Sequence, residues 1–135
     1  MVYLMIESIY VLDDLDGIMG YGLRTKIWIV DPAGNVLFGM GRVKILEAID
    51  RGGSINAAAK ELKMSYRAVW GRIKATEERL GRELVVRTTG GASGGGSSLT
   101  PYARDLIREY KAFRLQVIED ADARFERILL SKLAQ

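Results

Sequence analysis

Gly53-Ser54-Ile55-Asn56-Ala57-Ala58-Ala59-Lys60-Glu61-Leu62, followed across Lys63-Met64 by Ser65-Tyr66-Arg67-Ala68-Val69-Trp70, is the stretch whose reading decides the fold. Gly53 can stop one helix, and the Ser54 hydroxyl can accept a hydrogen bond from the free N–H groups that open the next. Ile55, Ala58, Ala59 and Leu62 recur at helical spacing, and the small side chains at 57–59 let another helix cross closely. Lys63-Met64-Ser65 reads as a turn, with Ser65 as the second cap. Over residues 65–80, Val69, Ile73, Thr76 and Leu80 fall on one stripe, whereas Tyr66, Arg67, Trp70 and Lys74 share the outward side. The pattern predicts a helix-turn-helix whose second helix offers guanidinium, ammonium and aromatic groups to a DNA major groove.

Tyr66 and Trp70, four residues apart, also fit a half-buried aromatic pair. Local charge favours the DNA reading. Residues 60–88 carry eight Lys or Arg against four Glu, a local excess of +4, although the whole chain has 20 Lys+Arg, 17 Asp+Glu and a net charge of only +3. The first 23 residues hold Glu7, Asp13, Asp14 and Asp16 and no base. Counterion release from phosphates rewards local positive density, so this polarised distribution points the basic segment at nucleic acid.

Leu84-Val85-Val86-Arg87-Thr88 next runs into Thr89-Gly90-Gly91-Ala92-Ser93-Gly94-Gly95-Gly96-Ser97-Ser98, and ordered chain resumes at Leu99-Thr100-Pro101. A flexible linker has this composition. A β-branched run before the glycines, a short return strand and a helix start with Thr100 as cap and Pro101 at the first position favour a β-hairpin wing. The loop lacks the Lys-Ser/Thr that ends a Walker-type nucleotide loop.

Ahead of the helix-turn-helix, residues 23–30 alternate as a half-buried strand with Leu23, Thr25, Ile27 and Ile29 on one side. Asp31-Pro32-Ala33-Gly34-Asn35 turns the chain, residues 36–38 return, and a helix follows over about 42–50. Trp28 is expected to pack opposite Leu37 or Phe38 rather than stack on a ligand.

Residues 101–133 read as one long helix without internal Gly or Pro. Its apolar stripe is Leu106, Tyr110, Phe113, Val117, Ala121, Phe125 and Ile128, with Asp122 among the charged residues on its flanks. About 30 helical residues extend about 45 Å, more than so small a domain covers with its own atoms. A homodimer through this helix is therefore expected, the alternative being that its first half packs on its own winged helix and the rest frays. The fold class is mainly α with a small β component: a winged helix-turn-helix with an N-terminal hairpin and a long C-terminal dimerisation helix. It divides into an extension at 1–22, a DNA-binding domain at 23–100 and the dimerisation helix at 101–135.

With 135 residues and 48% apolar composition, the chain can bury a real core. It has no Cys and no His, which excludes disulfides and the usual zinc sets and removes the commonest catalytic groups, so neither an enzyme nor a cofactor is expected. The acidic N-terminus is neither a signal peptide nor a membrane span, which predicts a cytoplasmic protein without membrane contact. Residues 2–6 read as an accessory strand, or translation starts later, at Met19.

Residues 23 to about 115 resemble the N-terminal domain of the ModE family of molybdate-responsive regulators, itself similar to the winged helix of LysR-type regulators. The resemblance rests on Phe38-Gly39, Gly41-Arg42, Leu46-Glu47-Ala48-Ile49, Gly53-Ser54-Ile55, Ala57-Ala58-Ala59, Ser65-Tyr66-Arg67 with Trp70, Thr89-Gly90-Gly91, Gly94-Gly95-Gly96 and Leu99-Thr100. It implies a regulator of genes for molybdate or tungstate transport or for molybdoenzymes. These 135 residues leave out the β-rich oxyanion-binding domain that full-length members append, so molybdate or tungstate is not expected to bind this chain directly. The DNA contacts expected are Ser54, Asn56, Ser65, Tyr66, Arg67, Trp70 and Lys74 from the helix-turn-helix and Arg87, Thr88, Thr89, Gly90, Gly91 and Ser93 from the wing. Arg67 and Lys74 are assigned to base edges or phosphates, and a dimer would set two such helices on a pseudo-palindromic duplex. A winged helix that docks a polypeptide instead is the alternative.

Overall fold

A computed structural model describes residues 21–88 and 95–134 of the chain. A first antiparallel hairpin pairs β1 (Trp28–Val30) with β2 (Val36–Gly39). The Asp31 carboxylate accepts from the Ala33 and Asn35 N–H groups and so closes the turn between them. Helices α1 (Met40–Gly52), α2 (Ile55–Leu62) and α3 (Tyr66–Leu80) follow, then a second antiparallel hairpin, β3 (Val85–Thr88) with β4 (Gly96–Leu99), and α4 (Pro101–Phe125). The class is as expected: mainly α, two small strand pairs and a long final helix.

The expected strand at 23–30 shortens to three residues. Its alternation persists without the ladder, since Thr25 and Ile27 are buried while Arg24 is exposed. Trp28 faces Gly39 rather than Leu37 or Phe38, and a Cβ on Gly39 would lie 3.0 Å from the indole. The first helix begins at Met40, two residues early, because β2 runs directly into it.

The core forms where the three helices converge. Val43, Leu46, Ile49, Ala58, Val69 and Leu84 are at 0% exposure, joined by Phe38 and Ile73. Full burial of an aliphatic side chain contributes about 1.5–3 kcal/mol, so this cluster dominates the stability of the domain. Gly53, at φ 75°, ends α1 in the left-handed conformation that glycine adopts without steric cost. The first two helices pack tightly at Gly52, where a Cβ would meet that of Ala57 at 2.6 Å.

The final helix continues through a π-helical stretch, Glu126–Leu130, into α5 (Ser131–Leu133). Its apolar stripe does not behave as one surface. Tyr110, expected at a dimer interface, is 3% exposed within its own domain: its hydroxyl donates to the Ile27 carbonyl at 2.9 Å, and its ring meets Phe38 edge-on at 5.3 Å. Leu106 and Val117 pack half-buried against the same core, whereas Ala103 and Ile107 are buried though outside the expected stripe. Phe125 is also buried, at 9%, and Asp122, expected on a polar flank, is at 8%. Burial and the nearby Glu126 carboxylate push the Asp122 carboxyl above its ordinary value. Phe113 and Ile128 are exposed, as are Leu115, Leu129 and Leu133. Ion pairs from Arg104 to Asp50 and Lys111 to Glu47 strap the first half of α4 to α1.

Candidate nucleic-acid interface

Helix α3 is placed by its caps and by its buried stripe. The Ser54 hydroxyl accepts from Ala57 N–H at 3.0 Å and the Ser65 hydroxyl from Ala68 N–H at 3.1 Å, so both expected caps are made. Lys63 supplies the left-handed turn between α2 and α3 at φ 54°. Val69, Ile73 and Thr76 then sink into the core, which leaves Tyr66 at 40% and Trp70 at 41% exposure beside exposed Arg67. These aromatic rings are on the surface rather than in the core.

The wing is seated against the turn that ends α1 at Gly53, and Arg87 reaches from it to α3. Ser97 N–H donates to the Gly53 carbonyl at 2.8 Å, and a Cβ on Gly96 would lie 2.7 Å from that same oxygen. Only glycine fits there, so the return strand begins at Gly96, inside the segment read from sequence as loop. The Arg87 guanidinium donates to the Tyr66 hydroxyl at 3.4 Å across the gap. Ser54, Asn56, Tyr66, Arg87 and residues 95–97 line a notch of about 180 Å³ between the wing root and the start of α2. Of the expected wing contacts, Arg87 and Thr88 are exposed on β3; Thr89, Gly90, Gly91 and Ser93 lie outside the described residues.

Lys74 is exposed on the same helix and carries a partner. Its ammonium pairs with Glu77 at 3.0 Å and stands 5.8 Å from the centre of the Trp70 ring. Glu77 is the residue that sequence reasoning missed. It is 8% exposed, and its other oxygen accepts from Leu84 N–H at 2.8 Å and Val85 N–H at 3.2 Å, fixing the start of the wing to the end of α3. Burial pushes the Glu77 carboxyl up, but those N–H groups and the Lys74 ammonium outweigh it and hold the group below its ordinary value. The available signal was a carboxylate adjoining the apolar stripe of α3, where an unpartnered charge would be costly.

Among the described residues no His, Cys, Asp or Glu cluster could hold a metal ion, and no helix is long and apolar enough to cross a membrane.

An exposed, basic and aromatic second helix flanked by a docked β-hairpin defines the winged helix-turn-helix class of DNA-binding domain. Residues 40–104 match the family described as bacterial regulatory helix-turn-helix protein, lysR family. The chain is also similar to ModE proteins over part of its length. It is 41% identical over 87 residues to "Molybdenum transport protein ModE" of Azotobacter vinelandii, covering 64% of this chain and 32% of that one. It is 45% identical over 69 residues to "Transcriptional regulator ModE" of Haemophilus influenzae, covering 51% and 27%. The chain thus spans about a third or less of the length of these curated relatives. Among solved structures, the CbnR DNA-binding domain, crystallised as a DNA complex, aligns with a TM-score of 0.50 and 22% identity over 67% of this chain and 97% of that one, a likeness of fold. The winged helix-turn-helix fold and the match over residues 40–104 therefore agree.

Proposed function

We propose that the chain regulates transcription of genes for molybdate or tungstate transport, or for molybdoenzymes, by binding a pseudo-palindromic DNA site as a homodimer. The observation that carries the DNA reading is the α3 surface: Tyr66, Arg67 and Trp70 stand exposed on one face while the opposite face is sunk in the core. Arg67 reads a base edge, and Arg87 and Thr88 position the backbone, with Thr89, Gly90, Gly91 and Ser93 of the wing continuing that contact. The ModE homology supports the choice of target genes.

The exposed part of the final helix is the dimer surface in this reading. Phe113 and Val117 with Gln116 and Asp120 line an open groove on α4, and Ile128, Leu129 and Leu133 continue apolar surface toward the end of the helix. Such apolar surface along one helix fits a second copy of the chain. Tyr110 is excluded from it by its own buried hydrogen bond.

Fluorescence anisotropy across a salt series tests the proposal, with duplex from the gene's own upstream region against a scrambled duplex, each with and without molybdate. Tight, site-selective and steeply salt-dependent binding is expected. Equal, weak, salt-insensitive binding to both duplexes would replace the regulator reading with that of a protein-docking module.

A further inference from the structure

A second concave site shares no residue with the notch beside the recognition helix. The chain leading into β1, the N-terminus of α1 and the middle of α4 enclose a cleft of about 430 Å³. Arg24, Lys26, Lys44 and Arg114 line it, together with Trp28 and Met40, and no carboxylate does among the described residues. Glu47, one turn beyond Lys44, is engaged by Lys111 at 2.7 Å. The 13-residue helix α1 opens into the same cleft through Met40 and Gly41, with a glycine at its N-cap, no side-chain cap and no acid in its first turn. The positive end of the helix dipole therefore faces a cleft lined by four basic side chains. Arg24 and Lys44 bring like charge to the same cleft, and an anion seated there offsets it.

We propose that this cleft binds a small phosphate-bearing molecule. Lys26 stands 4.9 Å over the Trp28 ring, and both Lys26 and Arg114 also engage other groups of the chain. The phosphate seat is accordingly assigned to Arg24 and Lys44 beside Gly41 at the start of α1, with Lys26 and Arg114 adding to the field. The volume and the wall of Ile27, Trp28 and Met40 fit an organic phosphate better than a bare ion, since sites of about 300–1,000 Å³ with apolar walls and a few polar groups are typical of small-molecule pockets. The site stands independently of the DNA reading.

The test uses the full chain carrying Trp70→Phe, which leaves Trp28 as its single tryptophan. Trp28 emission is followed while phenyl phosphate or inorganic phosphate is added, with sodium chloride at matched ionic strength as control. A saturable change is expected, tighter for phenyl phosphate, and weakened at least tenfold by Lys44→Gln or Arg24→Gln; both side chains are exposed, so the fold should persist by circular dichroism. A flat titration accompanied, in chains that keep Trp70, by a Lys44→Gln slope of log affinity for DNA against log salt that is shallower by about one would assign the same seat to a DNA backbone phosphate. A response that sodium chloride reproduces, or flat titrations with an unchanged DNA salt slope in both variants, would overturn the site.

Discussion

The first and last thirds of the C-terminal helix are built from similar residues and meet opposite fates. At its start, Ala103, Ile107 and Tyr110 are buried and tied to α1 and the first hairpin, with Arg104 and Lys111 clamped to Asp50 and Glu47. At its end, Ile128, Leu129 and Leu133 are about half exposed, at 56%, 51% and 46%. Apolar content is therefore not what distinguishes core from interface. The difference lies in whether another element of the same chain returns to cover the surface.

The contrast predicts a graded series of effects. Leu46→Ala, in the fully buried region, should lower unfolding free energy by about 2–5 kcal/mol, read from denaturant midpoints. Gly96→Ala should cost about 1–3 kcal/mol, because its Cβ is driven onto the Gly53 carbonyl at 2.7 Å; an unchanged midpoint would show that the wing is not seated on α1. Arg67→Ala should leave stability intact and weaken specific DNA binding by about 1–3 kcal/mol. An unchanged ratio of specific to non-specific affinity would make Arg67 a phosphate contact.

Glu77→Gln should flatten the acid limb of stability. The carboxyl is depressed in the folded state, so its contribution is present above the ordinary value of 4.5 and is lost as pH falls through the lower folded value. Melting temperatures from pH 6 down to about 3 would show the wild type losing more than the variant. Smallest in stability is Leu129→Glu, expected to change monomer unfolding by less than about 0.5 kcal/mol while shifting sedimentation from dimer toward monomer. A variant that destabilises the folded monomer instead would erase the contrast between the two ends of the helix.

Much of the candidate site was legible along the chain because it is built from local rules. Ser54 and Ser65 cap helices two residues after Gly52 and Lys63, and the buried Val69, Ile73 and Thr76 recur three or four apart, which forces Tyr66, Arg67 and Trp70 outward. Glu77 was not legible in the same way. Its partners are two backbone N–H groups that reach it only after the chain has turned at Gly81, and Lys74 looked free until that carboxylate was in place.

What the sequence by itself determined is therefore the set of elements and their faces: where helices begin and end, which side of each is apolar, and where glycines must sit. What only the tertiary structure decided is which apolar face each neighbour covers. Tyr110 belongs to the core because Ile27, 83 positions earlier, brings its carbonyl within 2.9 Å, and Gly96 is obligatory because Gly53 lies beneath it. Periodicity reports the orientation of a side chain relative to its own element. Contacts between distant elements depend on how the whole chain closes, and no local spacing encodes that.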